Sequence, residues 1–181
     1  MMIRRLEAAE TEARLEELVA LLRDAILGGA SIGSVLLLEQ AEVTAYWQSV
    51  VAAMRERHRL LLTAFAGETL IGSVQLGLEP RPNGRHRAEV MKLMVLRAHR
   101  RRGAGRALMR ALLQAARACD RSLLLLDVRT GDPAERLYRA LGFVKVGEVP
   151  DHARSPDGSF AASSFYYLDL RAPAWGERQE L

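Results

Sequence analysis

Residues 88–108 read Ala-Glu-Val-Met-Lys-Leu-Met-Val-Leu-Arg-Ala-His-Arg-Arg-Arg-Gly-Ala-Gly-Arg-Ala-Leu, and the fold turns on this stretch. Val90, Met91, Leu93, Met94, Val95 and Leu96 form a short apolar run, as expected of a strand covered on both faces. From Ala107 the apolar residues Ala107, Leu108, Ala111, Leu112 and Ala115 fall at helical spacing. Between strand and helix lies Arg100-Arg101-Arg102-Gly103-Ala104-Gly105. The first N–H groups of a helix lack partners and carry partial positive charge. Glycine removes the side chain that would hold an anion away. The segment therefore reads as a cradle for a pyrophosphate, with arginines beside it.

Working outward, Ser122 to Val128 reads as a buried strand. Asp132 is placed to cap a short helix with Pro133 at its first position, Ala134, Leu137, Tyr138 and Leu141 on one face, and Gly142 at its end. Strands follow at Phe143 to Val149 and Ser163 to Leu170, with a turn at Ser155-Pro156-Asp157-Gly158. Upstream, Leu60 to Ala66 and Thr69 to Leu78 read as two strands joined by a tight turn at Gly67-Glu68, and Glu79 to Arg87 as a loop. Further back, a helix from a cap at Thr11 to about Leu27 and another from about Gln40 to Arg57 follow a first strand at Met2 to Leu6. The order β-α-α-β-β-β-α-β-α-β-β implies an α/β (α+β) fold with helices packed on a mixed sheet.

The chain has 181 residues, which suits one domain, expected over residues 1–172 with a loose tail at 173–181. The net charge is +4, and the cations are 24 arginines with lysine only at 92 and 145. Mild basicity suits an anionic ligand without demanding nucleic acid. The single cysteine, Cys119, allows no internal disulfide and no cysteine-based metal site. There is no signal-peptide pattern and no apolar run of ~18 residues, so a cytoplasmic protein without membrane contact is expected. No histidine pair has metal-ligand spacing on a helix, and no metal is expected.

The Arg-x-x-Gly-x-Gly pattern at Arg100 to Gly105 resembles the coenzyme A signature of the GCN5-related N-acetyltransferase (GNAT) superfamily. A second signature stands at the expected distance, as Ala134, Leu137-Tyr138 and Gly142-Phe143. Together the matches cover about Thr63 to Leu170. The resemblance implies a central sheet of about seven strands flanked by about four helices. It also implies acetyl-CoA as co-substrate and direct transfer of acetyl to a small-molecule amine, by a monomer or a homodimer. The stretches Ala30 to Gly33, Pro82 to Glu89 and Ser155 to Gly158 further resemble the tabtoxin-resistance type, bacterial enzymes that acetylate an amino-acid-like toxin.

The resemblance places the pyrophosphate on the backbone of Arg101, Arg102, Gly103, Ala104, Gly105 and Arg106. It pairs the pantetheine arm with Met94, Val95 and Leu96, and makes the Val95 N–H the oxyanion donor. Glu89 matches the general base of histone acetyltransferases in the superfamily. A carboxylate of ordinary pKa ~4.3 is a weak base for an ammonium near ~10, so burial would have to raise it. The alternatives are a Glu89 paired with Arg85 or Arg87, and His86 as the base. Tyr138 is the candidate acid for the departing thiolate, against a plain core aromatic. Arg100 either braces the loop or meets phosphate. Many members place an asparagine seven residues before this tyrosine. Here Gly131 stands there, which leaves Asp132 or a backbone group for the pantetheine. The acceptor pocket is expected to use Ser31, Ile32, Trp47, Arg85 and His86.

Rival readings fare worse. A dinucleotide-binding fingerprint lacks its third glycine, since Leu108 stands there. A P-loop lacks Gly-Lys-Ser/Thr. A nucleic-acid binder using Arg97 and Arg100 to Arg102 lacks a sheet face of aromatics. A non-catalytic acyl-CoA sensor and a protein N-terminal or lysine acetyltransferase stay open as alternatives.

Overall fold

The computed structural model describes residues 1–30, 39–154 and 158–171. The expectations for Ser31 and Ile32, for Ser155 to Asp157 and for the tail at 173–181 lie outside the described residues. Strands β1 (Met2–Leu6), β2 (Arg59–Ala66), β3 (Thr69–Leu78), β4 (Arg87–Val95), β5 (Leu123–Arg129), β6 (Val144–Arg154) and β7 (Phe160–Asp169) form a seven-stranded sheet in the order β1-β2-β3-β4-β5-β7-β6. Every neighbouring pair is antiparallel except β4 with β5. The helices are α1 (Ala8–Ala13), α2 (Leu15–Leu27), α3 (Gln40–Arg55), α4 (Ala104–Ala118) and α5 (Ala134–Ala140). None is long and apolar enough to cross a membrane.

Two apolar layers cover the sheet. Leu108, Met109, Leu112 and Ala116 recur at helical spacing on α4 and pack against Leu62, Val74, Val90, Leu124 and Leu126. Each such buried leucine contributes roughly 1.5–3 kcal/mol. The other layer joins α2 and α3 to the opposite face through Leu18, Leu22, Val43, Val50, Leu61 and Phe65. β5 shows how the faces are divided, since Leu124 and Leu126 are buried under α4 and α5 while Asp127 is exposed.

One helical boundary differs from expectation. Helix α1 starts at Ala8, and its cap is Glu7, in a capping box with Glu10. Thr11 lies inside α1, and its hydroxyl donates back to the Glu7 carbonyl at 2.9 Å. The two segments meet at Arg14.

The loop between β3 and β4 is held by Glu79. Its carboxylate accepts the Arg81 N–H at 3.1 Å, the Arg81 Nε at 2.9 Å and an Arg87 guanidinium nitrogen at 3.0 Å. The Arg81 N–H, then its guanidinium, and Arg87 hold the Glu79 pKa down to about 2. A depressed carboxylate contributes stability above its unfolded value, here 4.5, and loses it as pH falls through the folded value. Glu79→Gln is therefore expected to lower Tm at neutral pH. In paired thermal melts the gap should close as pH falls from 4.5 towards 2; a gap independent of pH would contradict the clamp.

Candidate active site

β4 and β5 pair only at Arg87–Leu123, Ala88–Leu124 and Glu89–Leu125, and beyond that they part. β5 stays paired with β7 over its whole length, from Leu123–Asp169 to Arg129–Ser163. β4 stays paired with β3 as far as Gly72–Val95, with a register shift around Lys92, whose φ is 51°. A bulge of this kind bends and twists its strand. The result is a wedge between β4 and β5 with Glu89 at its apex.

The open edge of β4 can be assigned atom by atom. Leu96 donates its N–H to Ile71 of the β3 strand at 2.9 Å. Alternate residues of a strand present their backbone groups to opposite sides. Val95 and Leu93 therefore face the wedge, while Met94 and Leu96 face β3. This corrects part of the expected pantetheine edge. Met94 pairs with Ser73, and its side chain is 3% exposed in the α2–α3 layer. The Val95 carbonyl accepts Arg100 Nε at 3.0 Å, which makes Arg100 a brace. The Val95 N–H stays on the wedge side.

The loop after β4 has the shape its sequence implies. Arg101 and Gly103 both have left-handed φ, 62° and 88°, and α4 starts directly afterwards. A left-handed arginine costs roughly 1–2 kcal/mol, strain of the kind that gathers at functional sites. No side chain caps α4, and the first N–H bonded to the cap residue is that of Ala107, to the Gly103 carbonyl. The N–H groups of Ala104, Gly105 and Arg106 are thus left for an anion. From the other side, Asp24 of α2 braces the loop by accepting the Arg97 N–H at 2.8 Å and Nε at 2.9 Å.

Tyr138 lies on the β5 side of the wedge. Its ring packs edge-on to Phe143, with centroids 5.8 Å apart, and is 6.4 Å from Tyr166. Burial, then Asp132 and Asp127, pushes its phenol well above the ordinary range. The phenol thus holds its proton, and it has no hydrogen-bond partner among the described residues. Asp132 acts as a cap, accepting the Ala134 N–H at 2.7 Å. The Gly131 turn, φ 85°, is secured by Glu135, whose carboxylate accepts the Gly131 N–H at 2.6 Å and the Tyr166 hydroxyl at 2.6 Å. The Tyr166 bond first, then Gly131, Lys145 and Arg139, lowers the pKa of Glu135.

On the α3 face a polar wall adjoins the wedge, and sequence reading missed most of it. Arg59 donates to Gln75 Oε1 at 3.0 Å, and Gln75 Nε2 donates to the Tyr46 hydroxyl at 2.9 Å. The Lys92 ammonium stands 5.7 Å from the Tyr46 ring centroid. Burial pushes the Lys92 pKa down, Asp127 and Glu89 pull it up, and Arg59 pushes it down. The signal was present in the sequence, since Gln75 and Lys92 are polar residues inside apolar strands.

Other expected pocket residues do not reach the wedge. Trp47 is 0% exposed in the α2–α3 layer, so it backs Tyr46, at 5.4 Å and edge-on, and lines nothing. His86 lies three residues behind Glu89 at the closed end, where its carbonyl accepts the Ser122 N–H at 2.7 Å. Arg85 lies further back on the same loop. Glu89 makes no ion pair among the described residues, because Arg87 is taken by Glu79. It is exposed, at the apex of the wedge.

An anion cradle at one end of a free strand edge suits a donor that carries a pyrophosphate and an extended amide-bearing arm. Coenzyme A has both, and the class described is an acyltransferase that uses it. The chain belongs to the Acetyltransferase (GNAT) family, which it matches over residues 15–143, more than half its length. Acetyl-CoA is therefore its co-substrate. Solved structures agree on the fold. A ribosomal-protein-alanine N-acetyltransferase from Brucella melitensis is 23% identical, with a TM-score of 0.78 over 94% of this chain and 100% of its own. A putative acetyltransferase from Salmonella typhimurium, solved with its cofactor acetyl-CoA, is 22% identical, with a TM-score of 0.73 over 93% of each chain. A putative phosphinothricin N-acetyltransferase is 19% identical, with a TM-score of 0.78 over 93% of this chain and 98% of its own.

The cradle makes a separable prediction. A Cβ at Gly105 would meet only Leu137 Cδ2, at an ordinary 3.6 Å. Gly105→Ala should leave stability unchanged or raise it by up to about 1 kcal/mol. It should raise the KM for acetyl-CoA by about tenfold, because the methyl occupies the anion's space. A melt and a donor titration check both; an unchanged KM would contradict the cradle.

Proposed function

We propose that the chain is an N-acetyltransferase for a small, amino-acid-like primary amine. The observation that carries this is the free β4 edge beside the uncapped start of α4. The mixed-charge wall supports the choice of acceptor. Glu89 and Asp127 suit an ammonium, and Lys92 suits a carboxylate. One structural relative carries the name of a phosphinothricin acetyltransferase, and phosphinothricin is an amino acid analogue. The tabtoxin-resistance resemblance points the same way and belongs to this proposal.

When bound, acetyl-CoA supplies the acetyl group as a thioester. Glu89 takes a proton from the acceptor's ammonium through a water. The nitrogen forms its bond to the acetyl carbon as the carbon–sulfur bond breaks. The Val95 N–H holds the carbonyl oxygen as charge develops on it. Tyr138, kept protonated by its surroundings, donates a hydrogen bond to the departing sulfur. The nitrogen's second proton leaves with the thiol. Gly103 to Arg106 hold the pyrophosphate.

The test mixes protein, acetyl-CoA and a panel of amino acids, phosphinothricin, dipeptides and amine antibiotics, and follows free thiol. Amino-acid-like acceptors are expected to release thiol. Tyr138→Phe should lower kcat by about 10²-fold or more while leaving the acetyl-CoA thermal shift in place. Turnover confined to peptide N-termini would replace this reading with a protein acetyltransferase, and a thermal shift with no turnover would favour a sensor.

A further inference from the structure

A second concave site lies at the opposite end of α4 from the cradle. α4 has 15 residues, so the two are separated by about 22 Å. The hollow has a volume of about 620 Å³, within the range of small-molecule sites, and is lined by Arg5, Arg55, Arg57, Arg59, Arg121 and Glu7. Its floor is apolar, formed by Leu6, Leu60, Leu78 and Met54.

The charges around it are not balanced. Arg5 pairs with Glu7 at 3.5 Å, and Arg55 with Glu12 at 2.6 Å. Arg57, Arg59 and Arg121 have no carboxylate partner among the described residues, and Arg59 donates only to the neutral Gln75. The Nε atoms of Arg59 and Arg121 are both buried without an acceptor. Arg59 and Arg121 are partly buried with no counter-charge, which is unfavourable, and an anion held against them with the exposed Arg57 alongside relieves that. Their planar forks match phosphate oxygens. The apolar floor favours a small organic body. The lining contains no aromatic ring on which bases of a nucleic acid would stack.

We infer that this hollow is a binding site for a small phosphate-bearing anion, separate from the acetyl-CoA cleft. The inference goes beyond the transferase reading and does not depend on which amine is acetylated.

Isothermal titration of the protein with inorganic pyrophosphate and with ADP tests it. Coenzyme A is held at one molar equivalent so that the cradle at Gly103 is filled with no free excess to compete for the hollow, and ionic strength is held near ~0.15 M so that diffuse attraction is screened. One saturable equivalent is expected. Arg57→Gln and Arg121→Gln should each weaken it by about tenfold or more. Arg110→Gln removes the same charge from an exposed position on α4 outside the hollow, and should not. Arg121→Lys keeps the charge but loses the fork, so it should bind more tightly than Arg121→Gln and less tightly than the parent, with the same Tm in all three, which separates lost binding from lost folding. Absence of saturable binding, or equal losses in all three glutamine variants, would overturn the proposal.

Discussion

Everything in the active site follows from the parting of β4 and β5 after three paired residues. On one side β5 is tied to β7 along its whole length. On the other β4 is tied to β3 up to Val95. Each strand satisfies one edge, and neither can give up its partner to close the gap. The left-handed Lys92 lies in the strand segment just past the apex. What remains is an exposed strand edge in the middle of a sheet, a feature proteins ordinarily cover. In the function proposed, a ligand arm completes it. The same geometry sets the distance between the anion cradle, Glu89 and Tyr138, because all three are fixed to one wall or the other.

The electrostatics on the two walls differ in kind. Tyr138 is surrounded by burial and by two aspartates, which keep a phenol neutral and able to donate. On the α3 face charges of both signs meet around Lys92, and the proposed amino-acid-like acceptor rests on that. Glu135 has no surface role. It anchors Gly131 and Tyr166 and so holds the turn on which α5 and Tyr138 depend.

Much of this was legible in the sequence, and the exceptions have physical reasons. The glycine loop, the order of elements along the chain and the Tyr138 helix were readable because they rest on local rules: left-handed φ, helix starts and periodicity. The backbone of β4 was readable only to within one residue. Which of Met94 and Val95 faces the wedge depends on the phase of the strand, and a bulge at Lys92 resets that phase. Trp47 shows a second limit, since an apolar stripe on a helix has the same pattern whether it lines a pocket or fills a core. His86 required the β4–β5 register, a long-range pairing with no local trace. Gln75 and Lys92 were visible as polar intruders in apolar strands, but only the folded sheet shows that both lie against Tyr46.

The central claim is that the donor completes the β4 edge and sits on the start of α4. Residue-resolved amide hydrogen exchange with and without coenzyme A tests it directly. Protection is expected at Val95 and at Ala104, Gly105 and Arg106, with none gained at Leu96, whose N–H is already bonded to Ile71. Protection that spared Val95 and the loop, or that appeared equally on β6, would contradict the account.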